Sequence, residues 1–307
     1  MKFTAETTFD KLPGIPLEQL HFKGGLTPED SVASVHGRCP VWQADAMLAG
    51  LNRLVGLAGK RQVIFYPRGV PGLVYLPADR RLHSTFYLLL AGGAYTSVCT
   101  VGEALPVAAE LNGLGYDCFC LNYRVWGPEY ENTCLGSVPQ DDISAALDFI
   151  AENAGLFGLD AGDYCIGGFS AGGHAAALWG AREKARPPKG VILGYPMIAV
   201  EGILIPPLVA SSLRVLYGPG AKRTPPGADP AELISTDHPP VYLAKAVDDE
   251  VISEEDTLRY VSALREKGVP VTHESAPTGR HGFGNGCATP FASWAKRAAE
   301  FFERERV

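Results

Sequence analysis

The residues whose types and spacing can do chemistry sit together in Gly168-Phe169-Ser170-Ala171-Gly172. A short apolar run, Tyr164-Cys165-Ile166, precedes them and suits a buried strand, and the Ala-rich segment that follows to Leu178 suits a helix. G-x-S-x-G has a mechanical meaning in that context, where a strand turns sharply into a helix and holds the serine hydroxyl above the sheet edge. Glycines at 168 and 172 let strand and helix approach closely. The helix N-terminus below Ser170 offers unpaired N–H groups and positive potential where an oxyanion would develop. A serine hydroxyl is a poor nucleophile at neutral pH, so Ser170 needs a base, and the base needs an orienting acid. The bland alternative is a Gly-rich strand-to-helix turn with an incidental serine, since G-x-S-x-G alone occurs often by chance.

Base and acid must reach Ser170 from other loops, so the elements between them matter. Residues 84–91 form a continuous apolar run, as for a strand covered on both faces, and end in Gly92-Gly93-Ala94-Tyr95. Residues 101–114 read as a helix and 117–123 as the next strand. After a loop over 124–138, a helix from Pro139 keeps Ile143, Ala146, Leu147 and Ile150 at helical spacing. A strand over 190–195 follows the Ser170 helix, and strands over 241–246 and 271–275 come later, with a helix carrying Leu258, Val261 and Leu264 between them. Such alternation means βαβ units: an α/β fold with a doubly wound, mainly parallel sheet and helices on both faces. On that sheet, loops at the carboxyl ends of later strands must supply base and acid. The candidates are Asp248-Asp249, directly after the 241–246 strand, and His281 in Gly279-Arg280-His281-Gly282-Phe283-Gly284.

Three segments stand apart from this rhythm. Residues 63–66 and 72–76, separated by PRGVP, predict a hairpin. The proline-rich stretch 197–239, with an apolar patch at 203–216, is too long for a connection and reads as a lid-like insertion over the carboxyl edge of the sheet. Residues 1–60 form an N-terminal arm packed on the core, with a helix over 41–57 whose stripe is Leu48, Leu51, Leu54 and Val55. The α/β domain is then 61–307.

Composition narrows the function. The chain has 307 residues, 46% of them hydrophobic, enough for a large core. A net charge of −7 without a Lys/Arg cluster argues against a nucleic-acid partner. No apolar run has membrane-spanning length, and MKFTAETTFDKLPG lacks the apolar stretch of a signal peptide, so a cytoplasmic protein without a membrane partner is expected. Seven cysteines, several in strand-like runs, read as reduced thiols, and Cys118-Phe119-Cys120 lacks the spacing of a zinc site; no metal is expected. Oligomeric state stays open, a homo-oligomer included.

From about residue 63 onward the chain resembles the α/β-hydrolase superfamily, specifically carboxylesterases related to hormone-sensitive lipase and to bacterial acetyl-xylan and feruloyl esterases. LLLAGGAY, LNYR at 121–124, Asp141 or Asp142 opening a helix, GGFSAGGHAA, GYP at 194–196, HPPVYLAKAVDDEV and GRHGFG carry the resemblance. The chain order Ser, Asp, His is that of such enzymes. Where they have a His-Gly-Gly-Gly or Pro-Gly-Gly-Gly turn, this chain has Ala91-Gly92-Gly93-Ala94. The resemblance implies that the N–H groups of Gly93, Ala94 and Ala171 form the oxyanion hole. It also implies that Asp249, the second of the pair, is the orienting acid, with Asp248 in the turn.

The expected function is a serine carboxylesterase with Ser170 as nucleophile, His281 as base and Asp249 as acid, needing no cofactor. Its partner is a small-molecule ester; short acyl groups on sugars or small alcohols come from the resemblance. A peptidase or thioesterase on the same residues, or a non-catalytic ligand-binding protein on a hydrolase scaffold, are the alternatives. Tyr95 is a candidate substrate-binding residue, with plain packing as its other reading. His174, four residues after Ser170, reads as a packing residue under the oxyanion turn, and Arg124 as the partner of a carboxylate near the elbow.

Overall fold

The computed structural model describes residues 2–12, 15, 26–59, 64–65, 72–131, 133–199 and 207–305. Its strands are β1 (Ile64–Phe65), β2 (Leu73–Leu76), β3 (Phe86–Leu90), β4 (Asp117–Leu121), β5 (Tyr164–Phe169), β6 (Gly190–Gly194), β7 (Val241–Ala246) and β8 (Val271–Ala276). They join in one sheet in the order β1-β2-β4-β3-β5-β6-β7-β8. β1 and β2 pair antiparallel, as do β2 and β4, and every later pairing is parallel. The β1–β2 pairing matches the expected hairpin; its PRGVP connection lies outside the described residues. β3 to β7 are buried along their whole length, which is why their sequences are apolar runs without alternation. β8, at the edge, keeps partly exposed polar residues.

The helices are α1 (Val32–Arg38), α2 (Ala44–Gly59), α3 (Ala104–Gly113), α4 (Val138–Glu152), α5 (Ala154–Phe157), α6 (Ser170–Arg182), α7 (Pro207–Tyr217), α8 (Glu254–Glu266) and α9 (Trp294–Glu305). Successive strand residues point to opposite faces. A Cβ on Gly190 would meet Phe302 of α9, whereas Val191 packs against Gly180 of α6, so these helices cover opposite faces of the sheet. α3 packs with α9, and α4 with α6.

The chain leaves β3 for β4 on one side and returns to place β5 on the other. Ligands bind at such a switch point, outside the carboxyl ends of the diverging strands. Here those ends deliver Ala91 to Ala94 after β3 and Ser170 after β5.

In the arm, α2 lies over α3 so closely that a Cβ on Gly50 would stand 2.8 Å from the Leu105 backbone. Met47, Leu51, Leu54 and Val55 are buried and Leu48 partly so. The helix begins three residues later than expected, because Val41 and Trp42 turn onto the loops around the site. A Cβ on Gly102 would lie 2.3 Å from the Trp42 ring, and one on Gly282 3.5 Å from Val41. In the 197–239 stretch, α7 packs over the turn after β3, with the Ser212 hydroxyl 3.3 Å from the Ala94 carbonyl oxygen. Residues 203–206 of the expected apolar patch lie outside the described residues.

Candidate active site

The elbow is as tight as its sequence requires. Ser170 has φ +50°, in the left-handed region that side chains disfavour, and is 8% exposed. A Cβ on Gly168 would stand 2.1 Å from the Gly172 carbonyl oxygen, and one on Gly172 2.3 Å from that of Leu90. Any side chain at either position would push β5, α6 and β3 apart.

Two loops converge on Ser170. The Ser170 hydroxyl is 2.9 Å from His281 Nε2, in position to donate to it, and His281 Nδ1 lies 3.0 and 3.1 Å from the two Asp249 carboxylate oxygens. Asp249 also accepts the N–H groups of Val251 (2.9 Å) and Ile252 (2.8 Å). Burial opposes its charge, but the His281 and backbone hydrogen bonds, with Lys245 at 3.8 Å, outweigh it and hold the carboxyl below its ordinary value. Asp248 points away and accepts the N–H of Arg280 at 2.7 Å, next to His281. Arg280 has φ +58°, so this bond ties down a residue in a disfavoured conformation. Glu250 pairs with Arg280 at the surface.

The turn after β3 rests against the elbow, and a Cβ on Gly92 would touch that of Ser170 at 2.7 Å. Gly93, Ala94 and Tyr95 all have positive φ (+134°, +54° and +60°). The Gly92 carbonyl accepts Cys99 N–H, and the Gly93 carbonyl accepts those of Thr96 and Ser97. Among the described residues, no acceptor takes the N–H of Gly93, Ala94 or Ala171. The site therefore holds a serine hydroxyl hydrogen-bonded to an imidazole, a carboxylate behind the imidazole, and backbone donors without acceptors beside the serine. These are the parts that acyl transfer needs.

Tyr95 packs against His174 in the structure. Its left-handed backbone turns the ring inward, where it is 1% exposed and its hydroxyl lies 2.7 Å from His174 Nδ1. His174 is thereby held beneath the turn, away from the Ser170 hydroxyl. Asp142, of the two acids opening α4, receives Arg124 through its backbone N–H (2.7 Å) and guanidinium (2.7 Å).

Two site residues escaped the reading of the sequence. Glu103, 3% exposed, accepts the N–H of Gly92 at 2.5 Å, and burial raises its pKa to about 7. Lys245, fully buried, lies between Asp249 and Glu254 (3.3 Å). Each is a lone charge in an apolar run, TVGEALPVAA and VYLAKA, and that was the available signal.

Burial lowers the pKa of His174 to about 4. The unfolded chain takes a proton near the ordinary histidine value of 6.5 that the folded one refuses. This contribution is complete above pH 6.5 and is lost as pH falls towards 4, by about 1.4 kcal/mol per pH unit. His174→Gln is therefore expected to lose less stability than wild type between pH 7 and 5 in denaturant titrations. The raised Glu103 acts with the opposite sign but is common to both proteins and cancels in the difference. Parallel losses in the two proteins would contradict this.

The sheet order, the elbow after β5 and the loops after β7 and β8 define an α/β-hydrolase fold. A family model described as BD-FAE matches residues 73–192, from β2 to β6. Among curated proteins, endo-1,4-beta-xylanase B of Butyrivibrio fibrisolvens is 29% identical over 68% of this chain and 34% of its own length. The acetylxylan esterase of Xylanibacter ruminicola is 27% identical over 67% of this chain and 41% of its own. The chain thus spans less than half the length of these relatives. Among solved structures, an acetyl ester-xyloside bifunctional hydrolase from Caldicellulosiruptor lactoaceticus superposes with a TM-score of 0.62 at 25% identity, over 78% of this chain and 90% of that one. A carboxylesterase from Lactobacillus plantarum WCFS1 shares the fold with a TM-score of 0.66 at 18% identity, over 80% and 97% of the two chains. The chain is similar to carboxylesterases of this superfamily.

Proposed function

We propose that the protein is a serine carboxylesterase that removes short acyl groups from small alcohols or sugars. One observation carries the reading: an unbroken hydrogen-bonded path from Asp249 through His281 to the Ser170 hydroxyl, beside N–H groups that lack an acceptor. His281 Nε2 takes the proton as Ser170 Oγ attacks the ester carbonyl. Asp249 holds Nδ1–H and stabilises the imidazolium, and the N–H groups of Gly93, Ala94 and Ala171 receive the oxyanion. The imidazolium then protonates the departing alcohol, leaving an acyl-Ser170 ester. Water, deprotonated by the same Nε2, attacks that ester, and Oγ recovers its proton as the acid leaves.

Acetyl groups on sugars are favoured by the names of two similar proteins, the acetylxylan esterase and the acetyl ester-xyloside hydrolase. Short chains are favoured by the modest size of the 197–239 insertion. The test is kcat/KM across acetyl, butyryl and dodecanoyl esters, acetylated xylo-oligosaccharides, an acyl thioester and an aminoacyl amide. Acetyl and butyryl esters are expected to be cleaved fastest. A preference for dodecanoyl esters, thioesters or amides would overturn the assignment.

A further inference from the structure

The turn that would hold the oxyanion departs from the glycine-rich pattern, and its backbone needs an outside support. Ala94 and Tyr95 both lie in the left-handed region, which side chains disfavour. The Glu103 carboxylate meets this turn at its root. One oxygen accepts Gly92 N–H at 2.5 Å, and the other accepts the Tyr195 O–H at 3.1 Å. The Tyr195 oxygen in turn accepts the N–H of Gly284, at 3.0 Å, from the loop that carries His281. The two loops also touch directly, since a Cβ on Gly284 would stand 2.6 Å from the Gly102 carbonyl oxygen. The Tyr195 ring lies edge-on to His281, with centroids 5.0 Å apart.

We propose that Glu103 is a positioning residue, whose buried carboxylate ties the oxyanion turn to the His281 loop through Gly92 on one side and Tyr195–Gly284 on the other. This rests on the ester-hydrolase reading. Glu103 sits at the N-cap position of α3, yet its side chain makes no capping bond there and turns instead to Gly92. By taking the Gly92 N–H it fixes the peptide plane that precedes Gly93 and Ala94, whose N–H groups are left for the oxyanion. Through Tyr195 the same carboxylate sets where His281 stands relative to those donors. Trp42 of the N-terminal arm backs the arrangement, its ring filling the space beside Gly102.

The test compares Glu103→Ala, Glu103→Gln and Tyr195→Phe for kcat and KM on an acetyl ester, well below each melting temperature. Misplaced donors act on the transition state, so kcat is expected to fall about 10- to 100-fold with KM within about twofold, short of the 10²–10³ for losing a donor outright. Glu103→Gln keeps an acceptor for one of the two donors and is expected to fall between wild type and alanine. Should the alanine variant fail to fold, the glutamine and phenylalanine variants decide. Folded variants with kcat within about twofold of wild type, whatever their melting temperatures, would reduce Glu103 to packing and overturn the proposal. Fluorophosphonate should still label Ser170 to completion in all three, slowed roughly as kcat is, which separates this outcome from an inert wild type, where the ester-hydrolase reading itself fails.

Discussion

Ser170→Ala is expected to lower kcat for acetyl ester hydrolysis by on the order of 10⁶, with the fold and melting temperature nearly unchanged. Ser170 Oγ is the group placed to attack, 2.9 Å from the nitrogen that would take its proton. Without it His281 can at best activate water, with no acyl-enzyme to form. The fold should tolerate the change. Alanine keeps the Cβ that packs against Gly92, and the left-handed backbone at 170 strains alanine about as it strains serine. A steady-state assay with a thermal melt checks both halves. Turnover within tenfold of wild type would remove Ser170 from the mechanism.

Asp249→Asn and Asp248→Asn should differ by orders of magnitude although the residues are adjacent. Asparagine at 249 can keep the bonds from Val251 and Ile252 on its oxygen, but its amide nitrogen then faces His281 Nδ1. That donor selects the imidazole tautomer with its proton on Nε2, which cannot accept the Ser170 proton. A kcat loss of about 10⁴ follows, with KM little changed. Among the described residues Asp248 accepts only the N–H of Arg280, and asparagine keeps an accepting oxygen there. Its replacement should cost on the order of 1 kcal/mol of stability and leave kcat within a few-fold. Side-by-side kcat and unfolding measurements decide. A dead 248 variant with an active 249 variant would reverse the roles, and two active variants would place the acid elsewhere.

Much of the fold was legible because a buried parallel sheet leaves strong marks. β3, β5 and β6 are unbroken apolar runs, β4 and β7 are apolar but for Asp117 and Lys245, and β7 spans the residues its sequence implied. The start of α2 was not legible: Val41 and Trp42 continue its apolar spacing but are drawn onto Gly102 and Gly282, a tertiary contact that no local pattern records. Within the site, Ser170, the Asp248-Asp249 pair and His281 could be picked out because each follows a strand. Their meeting depends on the switch between β4 and β5, which brings the elbow under loops from β7 and β8. Tyr95 shows where reading runs out. An aromatic after the turn could face either way, and only its left-handed backbone, φ +60°, sends the ring inward to His174. Glu103 and Lys245 were hidden for a related reason, since a sequence does not tell which lone charge in an apolar run meets partners inside.

The most direct measurement is the mass and site of the adduct formed by a fluorophosphonate probe. Attack on phosphorus needs the activated hydroxyl and the oxyanion donors but no knowledge of the natural ester. One adduct per chain is expected, mapped by peptide sequencing to Ser170 and absent from Ser170→Ala. A folded wild-type protein that forms no adduct, or labelling that persists in the alanine variant, would contradict a serine esterase built on this elbow.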